Sequence, residues 1–209
     1  MLGDELLTTV HTSEHWNPIN WEDVKEEHVA YAASKTYAEK AARKFVADNK
    51  VNFKLATVNP PFVLGPQLFE SSVKETLNTS NEGITAVLRL DKTLTTPLKQ
   101  PLGLAVDVRD VAAFHILPLE VEQLAEQRQF IVAGKFVAQL TADILNKNFP
   151  QLNGKIVKGD PSSEKELLEK FTPKYDVSDV LAKAGGYKLI DVETSIVDTV
   201  SQYLKHNTF

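Results

Sequence analysis

The longest run of apolar positions at helical spacing covers residues 30–49. There Ala33, Tyr37, Ala41 and Phe45, with Ala30, Ala38 and Val46, fall on one stripe. The pattern predicts a helix whose thin, alanine-rich face suits close packing against a sheet or another helix. Residues 53–58 read as a strand that stops at Asn59-Pro60-Pro61, because proline cannot donate to a ladder. Helix followed by strand is a piece of α/β architecture. Ligands in open α/β sheets sit beyond the carboxyl ends of the strands, so the donor-poor loop 59–66 is a candidate pocket wall.

Shorter patterns follow. Residues 71–81 and 84–90 read as two helices separated by Gly83, and 102–106 as a strand. Asp107 is a suitable N-cap for the next helix and Asp110 adds negative charge to its first turn. Val111, Phe114 and His115 continue that helix, which Pro118 kinks or ends. His115 reads as a core or surface histidine. Residues 130–134 read as a buried strand, followed by a helix marked by Leu140, Ile144 and Leu145. Residues 150–175 read as a surface excursion with a short helix at 164–170. A helix at 177–184 stops at Gly185-Gly186, the usual C-terminal glycine signal. Asp191 caps the last helix, with Val192, Ile196, Val200 and Leu204 on its inner face. Residues 1–29 read as irregular, with Trp16 and Trp21 anchoring the segment by burial. His11 and His15 lie four apart, but Pro18 disfavours a helix there. Zinc needs three or four placed ligands, so no metal site is expected.

With 209 residues the chain has room for one good core, or one domain and part of another. Its net charge of -5, without a basic stripe, argues against a nucleic-acid partner. The absence of cysteine excludes disulfides, thiolate metal sites and a cysteine nucleophile. No apolar run approaches the ~18 residues of a membrane span, and residues 1–5 lack a signal-peptide pattern. A cytoplasmic location is the expectation.

The chemistry concentrates at Tyr31 and Lys35. Four apart on a helix, they project from one face one turn apart. An ammonium beside a phenol lowers its pKa from the ordinary value of ~10, which suits a proton donor to a carbonyl receiving a hydride. The pair alone is a weak signal, since any helix can place these two common residues so.

Several blocks in order give it context. They are Trp16-Asn17-Pro18, Tyr31-Ala32-Ala33-Ser34-Lys35 with Ala38-Glu39-Lys40-Ala41-Ala42, and Val58-Asn59-Pro60-Pro61-Phe62-Val63-Leu64-Gly65-Pro66-Gln67. Leu77-Asn78-Thr79-Ser80, Val106-Asp107-Val108-Arg109-Asp110-Val111-Ala112, Asp143-Ile144-Leu145-Asn146 and Thr194-Ser195-Ile196-Val197-Asp198-Thr199-Val200 complete the set. From about residue 14 onward the chain resembles the extended short-chain dehydrogenase/reductases, in particular the fungal NADPH-dependent aldehyde and methylglyoxal reductases.

The resemblance implies an α/β fold: a partial Rossmann-like, doubly wound sheet with a mainly helical C-terminal substrate-binding subdomain. Residues 1–135 would form the C-terminal portion of the NADP-binding domain, and 136–209 the helical part, intertwined with it. The implied activity is NADPH-dependent reduction of small aldehydes and ketones. Tyr31 is then the proton donor, and Lys35 lowers its pKa and bonds the nicotinamide ribose. Pro60, Phe62 and Val63 match the loop that positions the nicotinamide carboxamide, Phe62 also matches an aromatic wall of the substrate pocket, and Ser80 lies near the cofactor phosphates. Asp107, Arg109 and Asp110 match a structural cap and ion pair.

The family's glycine-rich phosphate-binding turn has no counterpart among the nine glycines. Its catalytic serine has none either, since Ser13 and Ser34 stand elsewhere. The chain is therefore expected to begin where the family's first four or five strands have passed. The strand at 53–58 would lack a neighbour, open to self-association or to pairing along an unpaired sheet edge. Two functions remain: the catalytic part of a carbonyl reductase acting on a small carbonyl substrate, or a non-catalytic remnant or interaction module.

Overall fold

The computed structural model of the chain describes residues 7–100 and 102–207; the acidic residues 1–5 lie outside that range. Helix α1 spans Glu27–Asp48, free of glycine and proline. Its inward row differs from the expected stripe. Ala33 is buried, but Phe45 is 56% exposed and Ala38 and Ala41 face outward. The covered residues are Val29, Ala32, Ala33, Thr36, Tyr37, Glu39, Arg43 and Val46, so Tyr37 and Val46 of the expected stripe are covered too and two charged residues join them. They turn inward because the sheet below presents matching charge and hydroxyls, described with the site.

Strand β1 (Val10–His11) pairs in parallel with β7 (Lys174–Tyr175), so the segment that reads as irregular contains a short strand. Strand β2 (Thr57–Asn59) pairs in parallel with β5 (Arg128–Phe130). It is shorter than the expected 53–58 and stops at Pro60 as expected. Residues 53–56 lie ahead of the register set by β5, and Phe53 stays 54% exposed. No second strand flanks β2 among the described residues. Strand β3 (Phe62–Leu64) pairs in parallel with β4 (Leu102–Asp107), and β4 pairs antiparallel with β6 (Gly134–Val137). The run 130–134, which reads as one strand, is mostly the buried connection between β5, which ends at Phe130, and β6, which begins at Gly134 in a different sheet.

Helix α2 (Thr79–Leu88) continues through Gly83, where a break was expected, and residues 71–78 carry only the 3-10 turn Glu70–Ser72. Burial of Ile84, Val87 and Leu88 outweighs the ~1 kcal/mol cost of a helical glycine. Helix α3 (Val108–Glu120) is capped by Asp107, whose carboxylate accepts from the Arg109 N–H. Pro118 falls in its last turn and the helix ends two residues later. Helices α4 (Ala138–Asn148), α5 (Glu164–Phe171), α6 (Ser178–Lys183) and α7 (Val192–His206) follow. Gly185 and Gly186 take φ of 70° and 78° after α6, the left-handed region that favours glycine. Asp191 caps α7, accepting from the Thr194 N–H at 2.7 Å.

Two apolar clusters hold these elements. The larger joins Leu64, Ile84, Phe136, Leu145, Ile196 and Val200; the smaller joins Val106, Phe114, Leu124, Ile131 and Val180. Both draw on residues before and after 135, and the boundary expected there falls inside β6.

Gln129 is fully buried, and neither its amide nitrogen nor its oxygen has a partner among the described residues. It borders a cleft of about 560 Å³ between residues 53–58 and α3. An unpaired buried amide costs ~1–3 kcal/mol. Gln129→Met, which keeps the volume and removes the polar atoms, is expected to raise stability by about 1 kcal/mol, or about 2–4 °C in melting temperature. A lower melting temperature would mean that Gln129 is satisfied after all.

Candidate active site

A cleft of about 800 Å³ opens along the first turns of α1, where the β2–β3 loop and α2 approach it. Tyr31 and Lys35 of α1, Pro60 and Val63 of the loop and its following strand, and Ser80 of α2 line this one space. These are five of the six residues singled out from the sequence. The helix sets the first pair on one face, with the Lys35 Nζ 5.5 Å from the Tyr31 ring centre. Tyr31 is 68% exposed at the cleft mouth.

The residue that follows β3 is tied to α2 by one side chain. Asn81 of α2 is buried, accepts from the Gly65 N–H at 3.2 Å and donates to the Gly65 carbonyl at 2.7 Å. Gly65 has φ of 129°, and a Cβ there would lie 2.8 Å from Val108 Cγ1. This pair of hydrogen bonds fixes the end of β3 against α2 and brings Ser80, one residue earlier, to the cleft.

Phe62 is not among the lining residues. Its ring packs over Gly103, where a Cβ would come within 2.9 Å, and its centre lies 6.0 Å from that of Phe136. Ser34 and Ser13 are occupied with the backbone: Ser34 Oγ donates to the Tyr31 carbonyl at 2.7 Å, and Ser13 Oγ accepts from the Phe130 N–H at 3.2 Å. His11 and His15 also line the cleft, with ring centres 5.8 Å apart. No group of three metal-ligating side chains occurs among the described residues.

Sequence reasoning passed over the charged centre beneath Lys35. Glu39, one turn further along α1, accepts from Arg43 Nε at 2.8 Å, Arg128 Nε at 2.8 Å, Thr57 Oγ1 at 2.9 Å and Asn59 Nδ2 at 3.0 Å. Both β2 and β5 are thereby tied to the helix that carries Tyr31. Burial alone would raise the Glu39 carboxyl, but the bonds from Arg128, Arg43, Asn59 and Thr57 outweigh it and hold the pKa at about 2, against an ordinary 4.5. The folded value is the lower one, so this stabilisation is complete above pH 4.5 and disappears as pH falls toward 2. Glu39→Gln is expected to flatten the acid limb of the stability curve across that window. An unchanged acid limb, read by chemical denaturation at each pH, would contradict the assignment. The signal available in the sequence was the block Ala38-Glu39-Lys40, whose glutamate lies one turn beyond Lys35.

The expected cap and ion pair is present at the end of β4, beside Gly65. Arg109 donates to both Asp107 oxygens at 2.8 Å and lies 2.8 Å from Asp198, and Ser195 Oγ donates to Asp107 at 2.6 Å. Asp110 accepts from the Tyr187 hydroxyl and the Ile190 N–H, and burial raises its pKa.

Comparison with known proteins gives this arrangement its relatives. The NADPH-dependent methylglyoxal reductase GRE2 of Saccharomyces cerevisiae is 37% identical over 209 aligned residues, covering 97% of this chain and 58% of its own length. The crystal structure of Gre2 from Candida albicans in complex with NADPH superimposes with a TM-score of 0.87 at 39% identity, over 94% of this chain and 58% of that one. Over nearly its whole length the chain is similar to these two reductases. Vestitone reductase from alfalfa shares the fold, with a TM-score of 0.68 at 23% identity. No protein-family model matches the chain. The chain spans a little under three fifths of the length of the relatives it matches. No helix among its described residues is long and apolar enough to cross a membrane.

Proposed function

We propose that this chain supplies the proton-transfer side of an NADPH-dependent reduction of small aldehydes and ketones of the methylglyoxal type. The observation that carries the reading is the convergence of Tyr31, Lys35, Pro60, Val63 and Ser80 on one cleft from separate elements. Kinship with NADPH-dependent methylglyoxal reductases supports it.

The residues present fit the nicotinamide end of the cofactor. Lys35 offers donors for a ribose hydroxyl beside Tyr31, and Pro60 and Val63 form a stiff wall poor in donors. They do not fit its phosphate end. The pyrophosphate of such cofactors is held by glycine-rich N–H groups at a helix start, and the glycines with positive φ lie at 65, 103, 154, 159, 185 and 186. None of the described glycines forms that turn, so these residues supply no such phosphate grip. When bound, NADPH supplies the hydride. Tyr31 Oη donates its proton to the carbonyl oxygen as negative charge develops there, and the Lys35 ammonium stabilises the phenolate left behind.

The test is consumption of millimolar NADPH with methylglyoxal, where weak binding is overcome by concentration. Turnover proportional to the amount of the chain is expected. The second reading, a non-catalytic interaction module, is favoured by the missing phosphate turn, and it requires no turnover and no NADPH binding. A dissociation constant below ~10 μM, about 7 kcal/mol of binding, would exclude it.

A further inference from the structure

The segment that crosses the cleft mouth, residues 12–18, is pinned at both ends. Upstream, β1 pairs with β7; downstream, the Tyr37 hydroxyl donates to the Ile19 carbonyl at 3.2 Å and Trp21 packs edge-on to Tyr37. Thr12, His15 and Asn17 of this strap, with His11 of β1 before it, line the same cleft as Tyr31. Between the two anchors the strap rests on Arg128. Its NH1 donates to the Ser13 carbonyl at 2.5 Å and the His15 carbonyl at 2.9 Å, and its guanidinium carbon lies 3.8 Å from the Trp16 ring centre. The remaining guanidinium nitrogens go to Glu39.

We propose that Arg128 is a positioning residue for this cleft: fixed by Glu39, it sets the strap 12–18 as the wall that faces Tyr31 and so determines which carbonyl fits. One planar cation fastens two carbonyls, stacks on an indole and grips a carboxylate, a combination that suits arginine and that lysine cannot reproduce. Arg43, Thr57 and Asn59 keep Glu39 satisfied without Arg128, so the couple can be broken while α1, β2 and β5 stay joined. The substrate aspect rests on the function proposed above; the strap's dependence on Arg128 does not.

The experiment compares the full chain with Arg128→Lys and Arg128→Met, each in a Trp21→Phe background so that Trp16 alone reports. Acrylamide quenching of Trp16 is expected to rise at least threefold in both variants. Amide exchange at 13–17 is expected to quicken at least tenfold, while amides of α1, β2 and β5 change less than twofold. Unchanged quenching and exchange in the strap would overturn the proposal. So would equal opening of α1 or β5, which would make Arg128 a fold residue only. Methylglyoxal reduction supplies the second readout, with KM expected to rise at least fivefold and kcat to stay within twofold. Released strap amides with KM unmoved would overturn the substrate aspect, and no turnover in the unsubstituted chain would count against the functional reading instead.

Discussion

Tyr31→Phe lowers methylglyoxal reduction by about 10²–10⁴-fold while leaving NADPH binding unchanged, the range typical of losing one positioned general acid. The substitution removes a single oxygen. Tyr31 is 68% exposed, so the phenylalanine ring meets no new packing constraint and the fold is retained. Lys35 keeps its place over the ring, and Pro60, Val63 and Ser80 are untouched. The loss therefore falls on kcat, with KM little changed, because a proton donated late along the reaction coordinate stabilises the transition state and not the bound substrate. Steady-state kinetics beside an NADPH titration decide the matter. Full turnover in Tyr31→Phe would remove Tyr31 from the chemistry.

Asp107→Ala carries the largest expected effect on stability, a loss of about 3 kcal/mol, or about 10 °C in melting temperature for a chain of this size. The carboxylate is fully buried and serves three partners: the N–H of Arg109 at the start of α3, the Arg109 guanidinium and the Ser195 hydroxyl of α7. Removing it uncaps α3 and leaves the Ser195 hydroxyl only the longer bond to the Asp191 carbonyl, at 3.2 Å. Burial acts to raise the Asp107 carboxyl, and the bonds from Arg109 and Ser195 overcome it and bring its pKa below the ordinary 3.8. The folded value is again the lower one, so this contribution is present above pH 3.8 and lost below it. Asp107→Asn, which can still accept from the Arg109 N–H, falls between wild type and alanine. Calorimetry at neutral pH showing less than 1 °C of change for Asp107→Ala would mean that the cluster is incidental.

How much of this was legible along the chain depended on how far each residue's partner lies. Asp107, Asp191 and the Gly185-Gly186 stop act within a few residues, and all three do what local chemistry says. Glu39 and Arg43 were hidden because periodicity counts apolar positions, and here a charged row faces inward; Arg128, which explains it, lies 89 residues further on. The alanine stripe that looked like the inner face is largely turned to solvent. Gly83 reads as a break only until Ile84, Val87 and Leu88 are seen buried in the larger core. β1 is two residues long and owes its existence to Lys174 and Tyr175. The cleft itself was legible because the residues that line it sit in recognisable blocks, whereas Phe62, quoted from the same block, packs over Gly103 and faces Phe136.

The central claim is that the nicotinamide end of the cofactor belongs beside Tyr31 and Lys35 even though this sequence carries no glycine-rich phosphate turn. Reduced nicotinamide mononucleotide isolates that end, since it lacks the adenosine half. Titrated onto the isotopically labelled chain, it is expected to shift the backbone amides of Lys35, Val63 and Ser80 together, saturating in the millimolar range, with α7 undisturbed. Shifts confined to other surfaces, or none at these three amides at saturating concentration, would contradict the account.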